Sequence, residues 1–395
     1  MSQPYRSIGI GTADISATDR KRVEGVLRSG RLSAGPMTRR FESLVAGVAG
    51  RTGAVLMNSG TGALQLSLQA LREQRGWALG SEVIVPALTF VASINTIIYA
   101  GLKPVLADVD PQTFTIDPKA ITQHIGPKTV AIMAVNIAGL PADLTKIERL
   151  ARRHRLALIE DSAESIGVSR DGRPVGSFGD VSCFSTYMAH ILTTGVGGLA
   201  VSDDPDLLLR IRSLANHGRD PRYLTIDDDN DLSDAALATV ISARYRFVSL
   251  GQSFRATELE AALGIGQIER LKSNIRRRQR YGTMLDEVFH RDGFTPQKLP
   301  TGAETARMFY PVVAPDRETR DRVIVALERS GVETRHLLPI LGQPCYAEMG
   351  WRTADYPVAA SLLERAFSIG SHQGLGAADA RHIRRVLDAA IETGR

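Results

Sequence analysis

The chain has 395 residues, more than one compact core usually holds, so two domains or a large domain with a smaller lobe is the starting expectation. Its 43% hydrophobic and 23% charged residues are ordinary for a globular protein, and a net charge of +5 with scattered basic residues excludes a nucleic-acid partner from the expectations. Two cysteines, Cys183 and Cys345, leave no disulfide framework, metal-ligand spacing or iron–sulfur cluster, and no apolar run approaches the ~20 residues that span a bilayer. Met1 to Ile10 lacks the basic and then apolar regions of a secretory signal, so a cytoplasmic protein without membrane contact is expected.

Thr18 to Ser29 reads as a helix with Val23, Val26 and Leu27 on one face. Ser33-Ala34-Gly35-Pro36 breaks it, and Met37 to Val48 is a second helical run. Ala54-Val55-Leu56-Met57 is a short buried strand that passes through Asn58-Ser59-Gly60-Thr61-Gly62-Ala63 into a helix from Leu64 to Leu71. The first turn of a helix offers unpaired N–H groups and a positive dipole end, and small residues let a phosphate approach; the same residues also serve as plain helix caps. Glu82 to Phe90 starts as a strand, Ala92 to Ala100 is a helix, and Pro104 to Asp110 is the next strand. Phe90, at a strand end, reads first as a core residue and only second as a ligand contact. A strand at Val130 to Val135, a helix at Leu144 to His154 and a strand at Leu156 to Ile159 ending in Glu160-Asp161 continue the alternation. That βαβ rhythm predicts an α/β fold with a parallel, doubly wound sheet, and Asp161 sits either at its ligand crevice or as the cap of a following helix.

Ser182 to Gly198 reads as strand, polar loop, strand, with His190 in the loop and glycines at 195, 197 and 198. Asp227 to Asp231 lacks the spacing of a calcium loop and is expected to be solvated. Gly251 to Glu258 leads into a helix from Leu259 to Leu271, and a separate helix from Asn274 to Phe289 is expected to link two lobes, with Arg276-Arg277-Arg278 on a solvated face. From Met308 the pattern is strand, helix (Thr319 to Ser330), strand near Val332 to Arg335, and a closing helix from Ala377 to Thr393. The expected domains are therefore residues 1–273 and 274–395.

Five motifs, in order, resemble the DegT family of sugar aminotransferases, which use pyridoxal phosphate (PLP). They are Ser59-Gly60-Thr61 with Ala63-Leu64, Phe90 just after Pro86-Ala87-Leu88-Thr89, Glu160-Asp161-Ser162-Ala163-Glu164, the Ser185 to Gly198 loop, and Gly251 to Glu258. The resemblance implies a fold type I enzyme, with a large mostly parallel sheet domain and a smaller C-terminal α/β lobe, working as a homodimer. It implies that Gly60, Thr61, Gly62 and Ser185 belong to the cofactor site, that Phe90 stacks on the cofactor ring, and that Asp161 pairs with the ring nitrogen. Glu164 stands where the family usually has glutamine and where dehydrating members tend to carry an acid. Ser253, in place of an asparagine, would reach the partner subunit's cofactor phosphate, and Arg219 and Arg335 are candidate contacts to a nucleotide-linked sugar.

One position departs from the family. Its Schiff-base lysine falls five residues after the serine and five before the first glycine, and this chain has His190 there. None of its seven lysines lies between Lys146 and Lys272. Imidazole forms no stable Schiff base but moves protons near neutral pH. The PLP-dependent sugar 3-dehydratases, such as that of the colitose pathway, carry histidine at this position and hold pyridoxamine phosphate (PMP) noncovalently. Their Gly-Glu-Gly-Gly is Gly195-Val196-Gly197-Gly198 here, without the acid. Three functions stay open: a PMP-dependent dehydratase of a 4-keto sugar with His190 as acid and base, a transaminase or other PLP enzyme drawing on glutamate as amino donor, and a catalytically silent protein that binds PLP or a nucleotide sugar.

Overall fold

Short Val-, Ile- and Ala-rich runs, apolar on both faces, become the inner strands of a sheet covered by helices on both sides. The computed structural model describes residues 7–225, 227–338 and 340–393. The outermost ends of the expected domains, residues 1–6 and 394–395, lie outside these residues.

The first half runs α1 (Ala17–Ser29), α2 (Pro36–Ala49), β1 (Gly53–Met57), α3 (Gly60–Arg75), β2 (Glu82–Pro86), α4 (Val91–Tyr99), β3 (Lys103–Ala107), α5 (Pro118–His124), β4 (Thr129–Val135), α6 (Leu144–His154) and β5 (Ala157–Asp161). A small hairpin, β6 (Ser169–Arg170) with β7 (Arg173–Pro174), precedes β8 (Val181–Ser185) and β9 (Gly198–Ser202). These build a seven-stranded sheet in the order β1-β9-β8-β5-β4-β2-β3. β9 runs antiparallel to both neighbours, and the other pairs are parallel. The mostly parallel expectation therefore holds, and β5 and β8 lie side by side, which puts Asp161 next to Cys183 and near the start of the His190 loop.

Next come α7 (Pro205–Ala215), α8 (Asp234–Ala243) and α9 (Glu258–Phe289). A second sheet follows from β10 (Thr295–Pro296), β11 (Phe309–Val313), α10 (Arg317–Arg329), β12 (Thr334–His336), α11 (Pro357–Arg365), β13 (Ala366–Gly370) and α12 (Ala377–Glu392). Its strands, in the order β10-β11-β13-β12, are all antiparallel. Phe289, Tyr310, Phe367, Leu327 and Ile383 form its own apolar core.

The structure differs from the sequence reading in three places. The two helices expected on either side of residue 273 are one 32-residue helix, started by a capping box in which Thr257 and Glu260 each satisfy the other's main chain. Lys272 and Ser273, between the two expected helices, fall towards the outer face, and the helical register continues through them. The expected domain border thus lies inside a helix, and Leu337, Ile340, Tyr346 and Leu362, from beyond it, pack in the core of the large sheet. The second difference is Arg278, expected on a solvated face and found fully buried. The third is the acidic loop: Asp227 pairs with Arg31 at 2.6 Å and Arg39 at 2.8 Å, and these arginines pull its carboxyl down to about 2. Asp227 fastens the segment between α7 and α8 to the α1–α2 corner.

Candidate active site

A cavity of about 480 Å³ opens where the C-terminal ends of β1, β2, β4, β5 and β8 meet β11 to β13 of the second sheet. Strand ends at a change of sheet order are where α/β sheets place ligands. Of the expected site residues, Gly60, Thr61, Phe90, Asp161, Glu164, Ser185, His190 and Arg335 line this cavity.

One end is built by the β1–α3 turn. Ser59 caps α3, its Oγ accepting the Gly62 N–H at 3.0 Å, so Gly62 is spent on the cap and does not line the cavity. The helix start faces inward with its positive dipole end. Gly60 passes so close to Ser185 that an added Cβ would come within 2.8 Å of the serine Cβ, and a Cβ on Gly198 would lie 2.3 Å from Gly60 N. Only glycine lets β9 and the turn approach this closely. The Thr61 and Ser185 hydroxyls together with the helix N-terminus form a donor set suited to a phosphate.

Asp161 holds the middle. It is buried at the end of β5, and no helix follows for it to cap. Ser93 donates to its Oδ2 at 2.6 Å, and Thr89 joins Ser93 at 2.7 Å. Burial pushes the Asp161 carboxyl up despite these bonds, and among the described residues no cation pairs with it. Such a carboxylate suits a ligand that brings a positive charge, as a protonated pyridine nitrogen does. Phe90 caps α4 and is 57% exposed at the cavity, which rules out the core reading.

Glu164 and His190 complete the wall. Glu164 Oε2 accepts the Ala138 N–H at 2.6 Å, and burial, with a smaller push from the charge of Asp161, raises the carboxyl to about 8. It is therefore largely protonated at neutral pH. His190 lies in a turn whose N–H donates to Tyr187 O at 2.9 Å, and Thr186 and Thr194 join at 2.6 Å to close the loop base. Removal from water, with Arg278 adding to it, pulls the imidazole down to about 4, so it is neutral at pH 7. Its Nδ1 is buried and makes no hydrogen bond among the described residues. No lysine lines the cavity among those residues.

Two expected contacts lie elsewhere. The Arg219 guanidinium donates to Arg244 O and packs among Tyr223, Tyr245 and Phe247, with ring centroids 5.7, 5.9 and 5.3 Å away. Ser253 is exposed, its backbone bridged to Asn216. The sequence reading missed Asn136, Tyr187, His336 and Ser368, which also line the cavity. Tyr187 lies within the Ser185 to Gly198 motif without being singled out there; no motif marks the other three, and of these Asn136 alone carried a signal, as a polar residue ending an apolar strand.

The donor set, the unpaired buried Asp161 and the exposed Phe90 fit PLP or its amine form, PMP. Comparison with known proteins agrees. The profile of the DegT/DnrJ/EryC1/StrS aminotransferase family matches residues 13–388. The GDP-perosamine synthase of Caulobacter vibrioides is 34% identical over 364 residues, 91% of each chain. Among solved structures, the aminotransferase TlmJ from Streptoalloteichus hindustanus superposes with a TM-score of 0.86 at 28% identity, over 98% of this chain and all of TlmJ (100%). Spr1654 from Streptococcus pneumoniae, in its PLP form, superposes with a TM-score of 0.87 at 25% identity, over 98% and 99% of the two chains.

Proposed function

Because this chain belongs to the DegT/DnrJ/EryC1/StrS aminotransferase family, we propose that it acts on a nucleotide-linked keto sugar with PLP or PMP held noncovalently, and that it removes a hydroxyl as a 3-dehydratase. The observation that carries this reading is His190, a neutral imidazole whose buried Nδ1 has no hydrogen-bond partner, standing in a cavity that no lysine lines among the described residues.

When bound, PMP supplies an amine for the keto carbon and a ring that accepts electrons. The β1–α3 turn, Thr61 and Ser185 would hold its phosphate, Phe90 its ring face and Asp161 its ring nitrogen. Asp161 is kept in place by Ser93, and a cation beside it would favour its charged form. His190 takes up a proton at a ring nitrogen, and Nδ1 is open for this. Glu164, protonated at neutral pH with only Oε2 engaged by the backbone, has Oε1 from which a proton can be given to a departing hydroxyl. Base and acid thus stand on one cavity wall with their affinities pushed apart, the arrangement that assigns proton acceptor and donor. Arg335, His336 and Ser368 line the side facing the second sheet, where the sugar nucleotide would enter.

A second reading is transamination, favoured by the name of the Caulobacter relative, a synthase of an amino sugar nucleotide. One experiment separates the two. The protein is loaded with PLP, treated with borohydride and analysed by mass spectrometry, and the PMP form is given nucleotide 4-keto sugars with and without glutamate. No pyridoxyl-lysine and a 3-deoxy product are expected. A reduced lysine adduct would overturn noncovalent binding, an amino sugar would favour transamination, and cofactor binding without turnover would favour a silent binding protein.

A homodimer belongs to the same proposal. Tyr245 is 87% and Leu250 92% exposed beside Ser253, apolar surface that a second copy would cover while Ser253 reaches the partner's site. Sedimentation of the cofactor-loaded protein as a monomer at micromolar concentration would remove it.

A further inference from the structure

Arg278 is the largest wholly buried side chain among the described residues, and none of their carboxylates pairs with it. Nη1 donates to Met308 O at 2.9 Å and to Ser371 O at 2.7 Å, Nη2 reaches His190 O at 3.5 Å, and Nε is buried without a partner. Its neighbours Arg276 and Arg277 are exposed. A guanidinium sealed from water and met only by carbonyl oxygens is costly, because no opposite charge offsets its lost hydration. The carbonyls come from three separate places: the His190 loop, the start of β11 and the end of β13. Met308, which carries one of them, and Ser368, three residues before Ser371, line the cavity.

We propose that Arg278 is a positioning residue for His190, tying the loop carbonyl to the main chain that carries the second sheet's part of the cavity wall. This rests on the reading of His190 as the group that moves the proton. A fixed positive charge close by makes a second one on the imidazole less favourable and preserves the proton-accepting form. The other titratable groups sharing the cavity are Asp161 and Glu164 after β5, Tyr187 on the same loop, and Arg335 and His336 on β12. Arg278 is the cation that reaches the His190 main chain, and its charge adds to burial in lowering the proton affinity of the imidazole. The costly burial is then accounted for by its place, at the junction of loop and second sheet.

The test is NMR titration of the apoprotein labelled in its histidine rings, with the His190 signal identified through His190→Asn, alongside PMP affinity by fluorescence. Arg278→Met should raise the His190 midpoint by about half to one pH unit and weaken PMP binding about tenfold. Arg278→Lys keeps the charge and should leave the midpoint near that of the parent protein. If the methionine variant does not fold, Arg278→Gln replaces it, and its midpoint should rise where that of the lysine variant does not. An unchanged midpoint and PMP affinity, with only the melting temperature lowered, would reduce Arg278 to a structural role and overturn the inference. Failure of the parent protein to turn over any keto sugar would instead count against the proposed reaction and leave the titration result standing.

Discussion

The turn after β1 and the loop after β8 touch at Gly60 and Ser185, yet they are held in different ways. The turn is fixed locally: Ser59 caps its own helix, and glycines allow the close approach of β9. Almost any phosphate ligand could use it. The His190 loop is anchored at its base by Thr186 and Thr194 and is also touched from far away in sequence, where Arg278 reaches the His190 carbonyl at 3.5 Å. The first is a scaffold that binds. Under the proposed function the second turns one side chain, His190, into a reagent, and burial is the largest influence on its proton affinity.

Removing the reagent should therefore cost most and spare the scaffold. His190→Asn is expected to lower turnover by roughly 10²–10⁴-fold while PMP still binds; near-normal turnover at saturation would take His190 out of the mechanism. Gly198→Ala attacks the scaffold, since its Cβ would lie 2.4 Å from Ser59 C. It should cost about 1–3 kcal/mol in urea unfolding and weaken PMP binding with little change in saturated turnover. An unchanged unfolding midpoint would show that the turn can shift, against the rigidity argued for it.

The contrast also has a pH signature. Glu164 binds its proton more tightly when folded, from 4.5 up to about 8, so its contribution to stability is complete below pH 4.5 and is lost as pH rises through 8. His190 goes the other way, from 6.5 down to about 4, so its contribution is complete above pH 6.5 and is lost as pH falls through 4. Between pH 6.5 and 8 only Glu164 of this pair still changes, and apoprotein stability should fall there by on the order of 1–2 kcal/mol. Glu164→Gln should flatten that fall; an equally steep fall in the variant would place the titration elsewhere. The smallest effect is expected from Ser59→Ala, which removes only the α3 cap and should cost about 1 kcal/mol without moving the His190 midpoint.

Much of this was legible in the sequence where a short stretch does its own work. The β1–α3 turn, the Asp161 strand end and the His190 loop are each written in consecutive residues, and each lies where the alternation of strands and helices puts it. Arg278 was misread because its burial depends on Met308 and Ser371, which no local pattern brings near it. Arg219 lies away from the cavity for the related reason that it packs beside three aromatic rings from either side of α8 in sequence. Asn136, His336 and Ser368 reach the cavity only through the pairing of strands, so no motif announces them. The helix α7 was passed over although Asp204 caps it and Pro205 opens it.

The long helix α9 has a consequence for how the chain is made. Glu258, at its start, accepts the N–H groups of Gly35, Met37 and Thr38 at the head of α2 at 2.8, 2.9 and 2.8 Å. Arg270 holds Asp19 of α1 at 2.6 Å, and Phe41 of α2 lies against Gly264. The first two helices therefore find their partner more than two hundred residues later in the sequence. On the ribosome, at roughly 5–20 residues per second, their apolar faces wait some tens of seconds for α9 to emerge. During that interval the nascent N-terminal segment is the part of the molecule with most reason to engage a chaperone.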